Sequence, residues 1–174
     1  MKNILAIPGS LRAGSSNHAV LRYIQNLVPP GFGYTIYDNL AKIPPFDPGN
    51  DGESPIDVIA DFRNLISNAD GIIICTPEYA FGVPGQLKNA LDWTASSGSF
   101  SGQPTALITA STGGQHAHEA LIKTLGALDA QLNPNTSLLI SYIRSKLASD
   151  GEITDSATKQ SLTALLDAFL TAIG

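Results

Sequence analysis

Short apolar runs alternate along the chain with longer segments whose apolar residues recur at helical spacing. The runs at 4–7, 34–37, 71–75, 105–109 and 137–140 read as strands, and the segments 17–27, 55–67, 84–94, 115–132 and 155–173 as helices. The third and fourth runs, Gly-Ile-Ile-Ile-Cys and Thr-Ala-Leu-Ile-Thr, are almost continuously apolar, which suits strands covered on both faces. Five strand–helix units in succession predict a doubly wound α/β sandwich on a parallel sheet. Ser15 or Ser16 can cap the first helix and Thr154 the last, and Pro84 sits where a first helical turn accepts proline. Leu162, Leu165, Leu166, Phe169 and Ile173 give the last helix a packing stripe. Residues 44–52, rich in proline and glycine, form the expected mobile loop.

Composition narrows the classes. With 43% hydrophobic and 14% charged residues in 174, the chain carries a globular core and reads as one domain, 1–174. A net charge of −5 offers no basic stripe, which excludes broad nucleic-acid binding and an anionic membrane as partner. That charge is also milder than an acidic electron carrier would carry, so it leans towards a freestanding enzyme. The single Cys75 rules out an internal disulfide and suits a reducing compartment. No apolar stretch reaches the length of a membrane span, and Met1-Lys2-Asn3 leads straight into the first strand run, which predicts a cytoplasmic protein without a signal peptide.

In such a sheet, ligands bind beyond the carboxyl ends of the strands, so the loops after strands one, three and four carry the chemistry. The first, from Gly9 to Asn17, leads into a helix N-terminus. Free N–H groups and the positive end of the helix dipole favour an anion there. Ser10, Ser15, Ser16 and Asn17 add neutral donors and Arg12 a forked, charged one. The spacing matches neither GxxxxGK[ST] nor GxGxxG. The same residues also suit a simple turn and cap. The second loop, Pro77-Glu78-Tyr79-Ala80-Phe81, offers aromatic surface and backbone groups to a planar ligand. The third, with Ser111, Gly113 and Gly114, is small enough to pass beneath a flat ring. Phosphate at one loop and a ring between the other two describe a mononucleotide, with flavin mononucleotide (FMN) the natural candidate.

The chain resembles the NAD(P)H-dependent FMN reductases of the flavodoxin-like fold, whose members include quinone, azo-dye and chromate reductases. The resemblance rests on Gly9-Ser10-x-Arg12-x-x-Ser15-x-Asn17, and on Pro77-Glu78-Tyr79 followed by Pro84-Gly85-x-Leu87-Lys88-Asn89-Ala90-Leu91-Asp92-Trp93. It continues through Ser111-x-Gly113-Gly114 and the Asp150–Asp155 stretch before the last helix. It implies a three-layer sandwich whose five-stranded parallel sheet has the order 2-1-3-4-5, with helices on both faces. It implies that Ser10, Arg12, Ser15 and Asn17, with neighbouring Ser16, hold the FMN phosphate. Pro77, Glu78, Tyr79, Ala80 and Phe81 would line the isoalloxazine, with Ser111, Gly113 and Gly114 along its other side and a backbone N–H of Glu78 or Tyr79 at N5. NADPH or NADH would be the co-substrate, a small molecule such as a quinone the acceptor, and a homodimer or homotetramer the assembly. Many relatives carry Asn and Ser where this chain has Ala80 and Gly82.

The resemblance also implies hydride transfer from nicotinamide to flavin N5 and on to the acceptor, a scheme that needs no side-chain acid or base and no metal. A flavodoxin-type FMN carrier without direct NAD(P)H oxidation is the alternative, and a flavin-free scaffold the third reading. Several other residues have plainer roles. Cys75 ends a buried strand and reads as core. His116 and His118 lie two apart on a helix and cannot share one metal, although His116 is placed for a substrate contact. Lys88 and Asp92 read as a surface ion pair, and Trp93 as packing.

Overall fold

The computed structural model describes residues 1–52 and 55–174. Five strands, β1 Lys2–Pro8, β2 Phe32–Ile36, β3 Gly71–Thr76, β4 Thr105–Ser111 and β5 Ser137–Ser141, form one parallel sheet in the order β2-β1-β3-β4-β5. Register is fixed by pairs such as Ala6 with Ile73 and Ile74 with Leu107. The helices are α1 Ser16–Leu27, α2 Asp57–Ser67, α3 Gly85–Asp92, α4 Gln115–Ala127 and α5 Ser156–Ile173.

Strand alternation sorts the core into two layers. Ile4, Ala6, Ile73, Cys75 and Ile108 face Val20, Ile24, Leu162 and Phe169 of α1 and α5. Leu5, Ile7, Ile72, Ile74 and Leu107 face Phe62, Leu87 and Leu121 of α2, α3 and α4. Covered on both sides, Ile72, Ile73 and Ile74 have no exposed surface, and each such burial contributes about 1.5–3 kcal/mol. Strand order reverses between β1 and β3, so their loops part to opposite faces and leave a crevice between them.

Three local expectations are corrected. The fourth helix stops at Ala127, not 132. Asp129 adopts φ +59°, and the Asp129 and Ala130 N–H groups donate back to Gly126 and Leu125. This Schellman ending frees Gln131 to pair with Gln103 and Thr105. The last helix is capped by Asp155, whose carboxylate accepts from Thr158 N at 2.8 Å, while the Thr154 hydroxyl turns away to the Lys146 carbonyl. The loop 44–52 is pinned. Trp93 Nε1 and Asn89 Nδ2 donate to the Pro44 carbonyl at 2.9 and 2.8 Å, and Asp51 pairs with Arg63.

Candidate active site

The β1–α1 loop is shaped from within. Gly9 N donates to the Cys75 carbonyl at 2.8 Å, and a Cβ on Gly9 would fall 2.3 Å from Thr76 Oγ1. Glycine is therefore required by β3 itself. Ser10 Oγ lies 3.4 Å from both Arg12 N and the Tyr79 hydroxyl. Ser15 caps α1, its Oγ accepting from His18 N at 3.3 Å and sharing a 2.9 Å bond with His18 Nδ1. Burial holds the His18 imidazole below its ordinary pKa, with Arg22 adding to the effect and Asp38 opposing it. The Asn17 side chain points inward, donating to the Ala110 carbonyl at 3.1 Å and lying 3.6 Å from Cys75 Sγ. What α1 offers outward is the N–H groups of Ser16 and Asn17, which have no partner among the described residues.

The β3–α3 loop is closed in a different way. Glu78 N donates to Ser111 Oγ at 3.1 Å, and the Glu78 carboxylate accepts from Gly114 N at 3.2 Å and Ala117 N at 2.9 Å. Glu78 thus caps α4 from a neighbouring loop, its charge at the positive end of the helix. Tyr79 N donates to Gly82 O at 3.0 Å and Gly82 N returns to Tyr79 O at 2.9 Å. Between them Ala80 (φ +48°) and Phe81 (φ +58°) both occupy left-handed backbone, the signature of a type I′ turn built without Asn or Gly at its centre. The N–H groups of Glu78 and Tyr79, where a backbone contact is expected, are both engaged within the protein. The N–H groups of Ala80 and Phe81 carry no such bond among the described residues. Tyr79 is 56% exposed and Phe81 78%.

From the β4–α4 loop, Ser111 holds Glu78, and Gly113 O accepts from the Ser141 hydroxyl at 3.2 Å. Gly114 caps α4 at φ +111°, where a Cβ would meet Leu139 Cδ1 at 2.8 Å. Its smallness serves β5. Just after β5, Tyr142 N donates to Thr112 O at 3.1 Å, which brings Ile143 and Arg144 to the same edge.

These segments enclose a cleft of about 370 Å³. Of the candidate site residues, Ser10, Arg12, Ser15, Ser16, Asn17, Pro77, Glu78, Tyr79 and Ser111 line it, while Ala80, Phe81, Gly113 and Gly114 lie beyond its lining. Thr112 and Arg144 also line it, and sequence reasoning missed them. The signal was present, since Ser141-Tyr142-Ile143-Arg144 follows a strand just as the other loops do. Arg12 and Arg144 form no ion pair with a carboxylate among the described residues. A groove of about 540 Å³ between α2 and the β1–β2 edge is more voluminous, yet none of these loops reaches it. Cys75 lies under the cleft with its thiol pushed up to about 12 by burial, which makes it core.

Arg12 and Arg144, neither ion-paired among the described residues, and the α1 N-terminus lie around one cleft with the Tyr79 ring on its lining, and together they describe a site for a phosphorylated flat ring. The family of NADPH-dependent FMN reductases matches residues 2–144. The chain belongs to that family. An NAD(P)H-dependent FMN reductase of Pseudomonas aeruginosa is 32% identical over 170 residues, covering 95% of this chain and 91% of the relative. A quinone reductase of Escherichia coli is 32% identical over 173 residues, covering 95% and 92%. Among solved structures, the flavoenzyme NAD(P)H:(acceptor) oxidoreductase FerB of Paracoccus denitrificans superposes with a TM-score of 0.83 at 26% identity, covering 99% of this chain and 97% of FerB. This FMN reductase family member is an NAD(P)H-dependent flavin oxidoreductase with FMN as cofactor and small molecules as acceptors. The donor set fits that cofactor: charge for a phosphate, free N–H groups, and exposed rings for an aromatic plane. Among the described residues no helix is long and apolar enough to cross a membrane.

Proposed function

We propose that the cleft between the β1–α1, β3–α3 and β4–α4 loops is where FMN binds, and that quinones are the acceptors. The observation that carries this reading is the cleft itself, with Arg12 and Arg144, neither ion-paired among the described residues, and Tyr79 on its lining, and Phe81 exposed beside it. Arg12, Arg144, Ser10 and the Ser16 and Asn17 N–H groups take the phosphate. Ser15 contributes by capping α1, and the Asn17 side chain by anchoring α1 to β4. Pro77, Tyr79 and Phe81 flank the ring on one side and Ser111, Gly113 and Gly114 on the other, with Glu78 fixing the two loops together. The unpartnered N–H of Ala80 or Phe81 takes the backbone contact to the ring edge.

When bound, FMN accepts hydride from NADPH or NADH and passes it on. The chain's own residues bind, orient and shield, and none of them has to exchange a proton with the nicotinamide. Support for a quinone acceptor comes from the quinone reductases of Escherichia coli and Pseudomonas putida at 32% and 30% identity. We place the protein in the cytoplasm as one FMN-binding domain, 1–174, in line with its lone buried thiol, and as a homodimer or homotetramer. Exposed Tyr79, Phe81 and Tyr142 supply apolar surface for a neighbouring copy beside the cleft. The test is the anaerobic visible spectrum of FMN-loaded protein. NADH or NADPH should bleach the bound flavin within seconds, and quinone should restore it. Flavin that binds and stays oxidised would refute the reading.

A further inference from the structure

The chain has three histidines, and the structure treats them differently. His18 is tied to Ser15 through Nδ1. His118 has both ring nitrogens engaged, Nδ1 with Thr109 Oγ1 at 2.9 Å and Nε2 with Ser137 Oγ at 3.0 Å, and burial holds its pKa down. His116 is exposed at the second position of α4, and its ring has no hydrogen-bond or ion-pair partner among the described residues. Its one specific contact is edge-on with Phe81, ring centroids 5.3 Å apart at 85°. Phe81 is itself held out by left-handed backbone that a bulky residue rarely adopts. An unengaged imidazole is therefore braced by an aromatic ring on a constrained turn, where the β3–α3 turn meets the start of α4.

The nearest titratable groups on the β3–α3 loop are engaged. The Glu78 carboxylate accepts from two N–H groups of the α4 start, and the Tyr79 hydroxyl lies towards Ser10. The geometry points to His116 as the residue that meets the electron acceptor and protonates it, an inference that rests on the function proposed above. A quinone that receives hydride, two electrons and one proton supplied through the cofactor from NAD(P)H, becomes a hydroquinone monoanion. The imidazolium of His116 donates to the anionic oxygen, giving neutral hydroquinone, and the neutral ring regains its proton from water. His116 changes only its protonation, and Phe81 keeps the ring at the acceptor's edge.

The experiment compares FMN-loaded protein with His116→Phe, which keeps a ring against Phe81 but has no N–H, and with His116→Gln, which keeps a donor but is no acid. Stopped-flow separates the half-reactions. Bleaching by NAD(P)H should stay within about twofold in both variants, while reoxidation by benzoquinone should slow about a hundredfold or more in His116→Phe. In His116→Gln the quinone KM should recover and the rate constant should not. Ferricyanide, which takes electrons without a proton, should reoxidise all three proteins alike. Independently of turnover, hydroquinone added to oxidised holoprotein should shift the His116 imidazole proton resonance and leave those of His18 and His118 in place. Equal losses with quinone and ferricyanide, an unaltered quinone rate, or an unmoved His116 resonance would each overturn the assignment. Absence of bleaching in the unaltered protein removes the underlying function, and this inference with it.

Discussion

The β1–α1 and β3–α3 loops leave neighbouring strands at one edge of the sheet, yet they are built in opposite senses. In the first, small polar side chains turn inward. Ser15 closes on His18 and Asn17 reaches the β4 backbone, so the polar groups it turns to the cleft are chiefly N–H groups and the Arg12 guanidinium. In the second, the polar groups at its start close on the protein. Glu78 holds α4, and Tyr79 and Gly82 hold each other, so what faces outward is ring surface. The difference follows from what each loop has to hold. An anion is gripped by charge and oriented dipoles, which need a backbone shaped from beneath. A flat ring is gripped by area, which needs side chains out and a turn stiff enough to keep them there.

The largest effect should come from the one charged side chain of the first loop. Arg12→Ala removes a charge-assisted contact of about 2 kcal/mol, so FMN affinity should fall about 30-fold in a fluorescence titration. Bleaching of the variant by NAD(P)H at saturating FMN should match the unaltered protein. A large loss of rate at full occupancy would erase the distinction between a loop that grips and a loop that orients.

A smaller effect is expected where the second loop turns its charge inward. Glu78→Gln keeps the shape but loses the anion at the α4 N-terminus, a loss of about 1 kcal/mol. The melting temperature should drop by about 2–4 °C. FMN affinity should change less than in Arg12→Ala. If flavin binding falls more than stability does, Glu78 acts on the ligand and the two loops are more alike than their hydrogen bonds suggest.

The same contrast explains what could be read from the residues alone. Layers and strand positions were legible because continuous apolar runs and the 3.6 period report burial directly, as the full burial of Ile72–Ile74 shows, whereas the sheet order came only from the family resemblance. Cleft membership was legible for Ser10, Arg12 and Tyr79 because strand ends on one edge must converge. Side-chain direction was not legible. Asn17 and Glu78 carry the polar groups a ligand would use, and only the tertiary positions of Ala110 and Ala117 show that the fold uses them first. Gly9 and Gly114 invite a reading as space for a ligand, whereas Thr76 and Leu139 occupy that space. Arg144 went unread because it acts through the Tyr142–Thr112 contact, which joins two strands that the chain separates. The helix end at Ala127 depends on Asp129 adopting a conformation that no periodicity records.

The smallest effect tests the stiffness of the turn. Ala80 is exposed, so its side chain contributes little packing, and its φ of +48° places its Cβ against the following carbonyl. Left-handed backbone disfavours an alanine by about 1–2 kcal/mol. Glycine removes that strain but brings extra freedom to the unfolded chain, worth roughly 0.5–1 kcal/mol in the other direction. Ala80→Gly should therefore stabilise the protein by about 0.5 kcal/mol, a rise of about 1–2 °C in melting temperature. Relief of strain at Ala80 should at the same time loosen Phe81, so the contact between Phe81 and His116 should weaken, visible as altered ring-current shifts of the His116 protons. A stabilised fold with unchanged His116 shifts would mean that Phe81 is held by its ring contact rather than by its backbone. A destabilised fold would mean that the Ala80 methyl packs, and the second loop would then be shaped from within like the first.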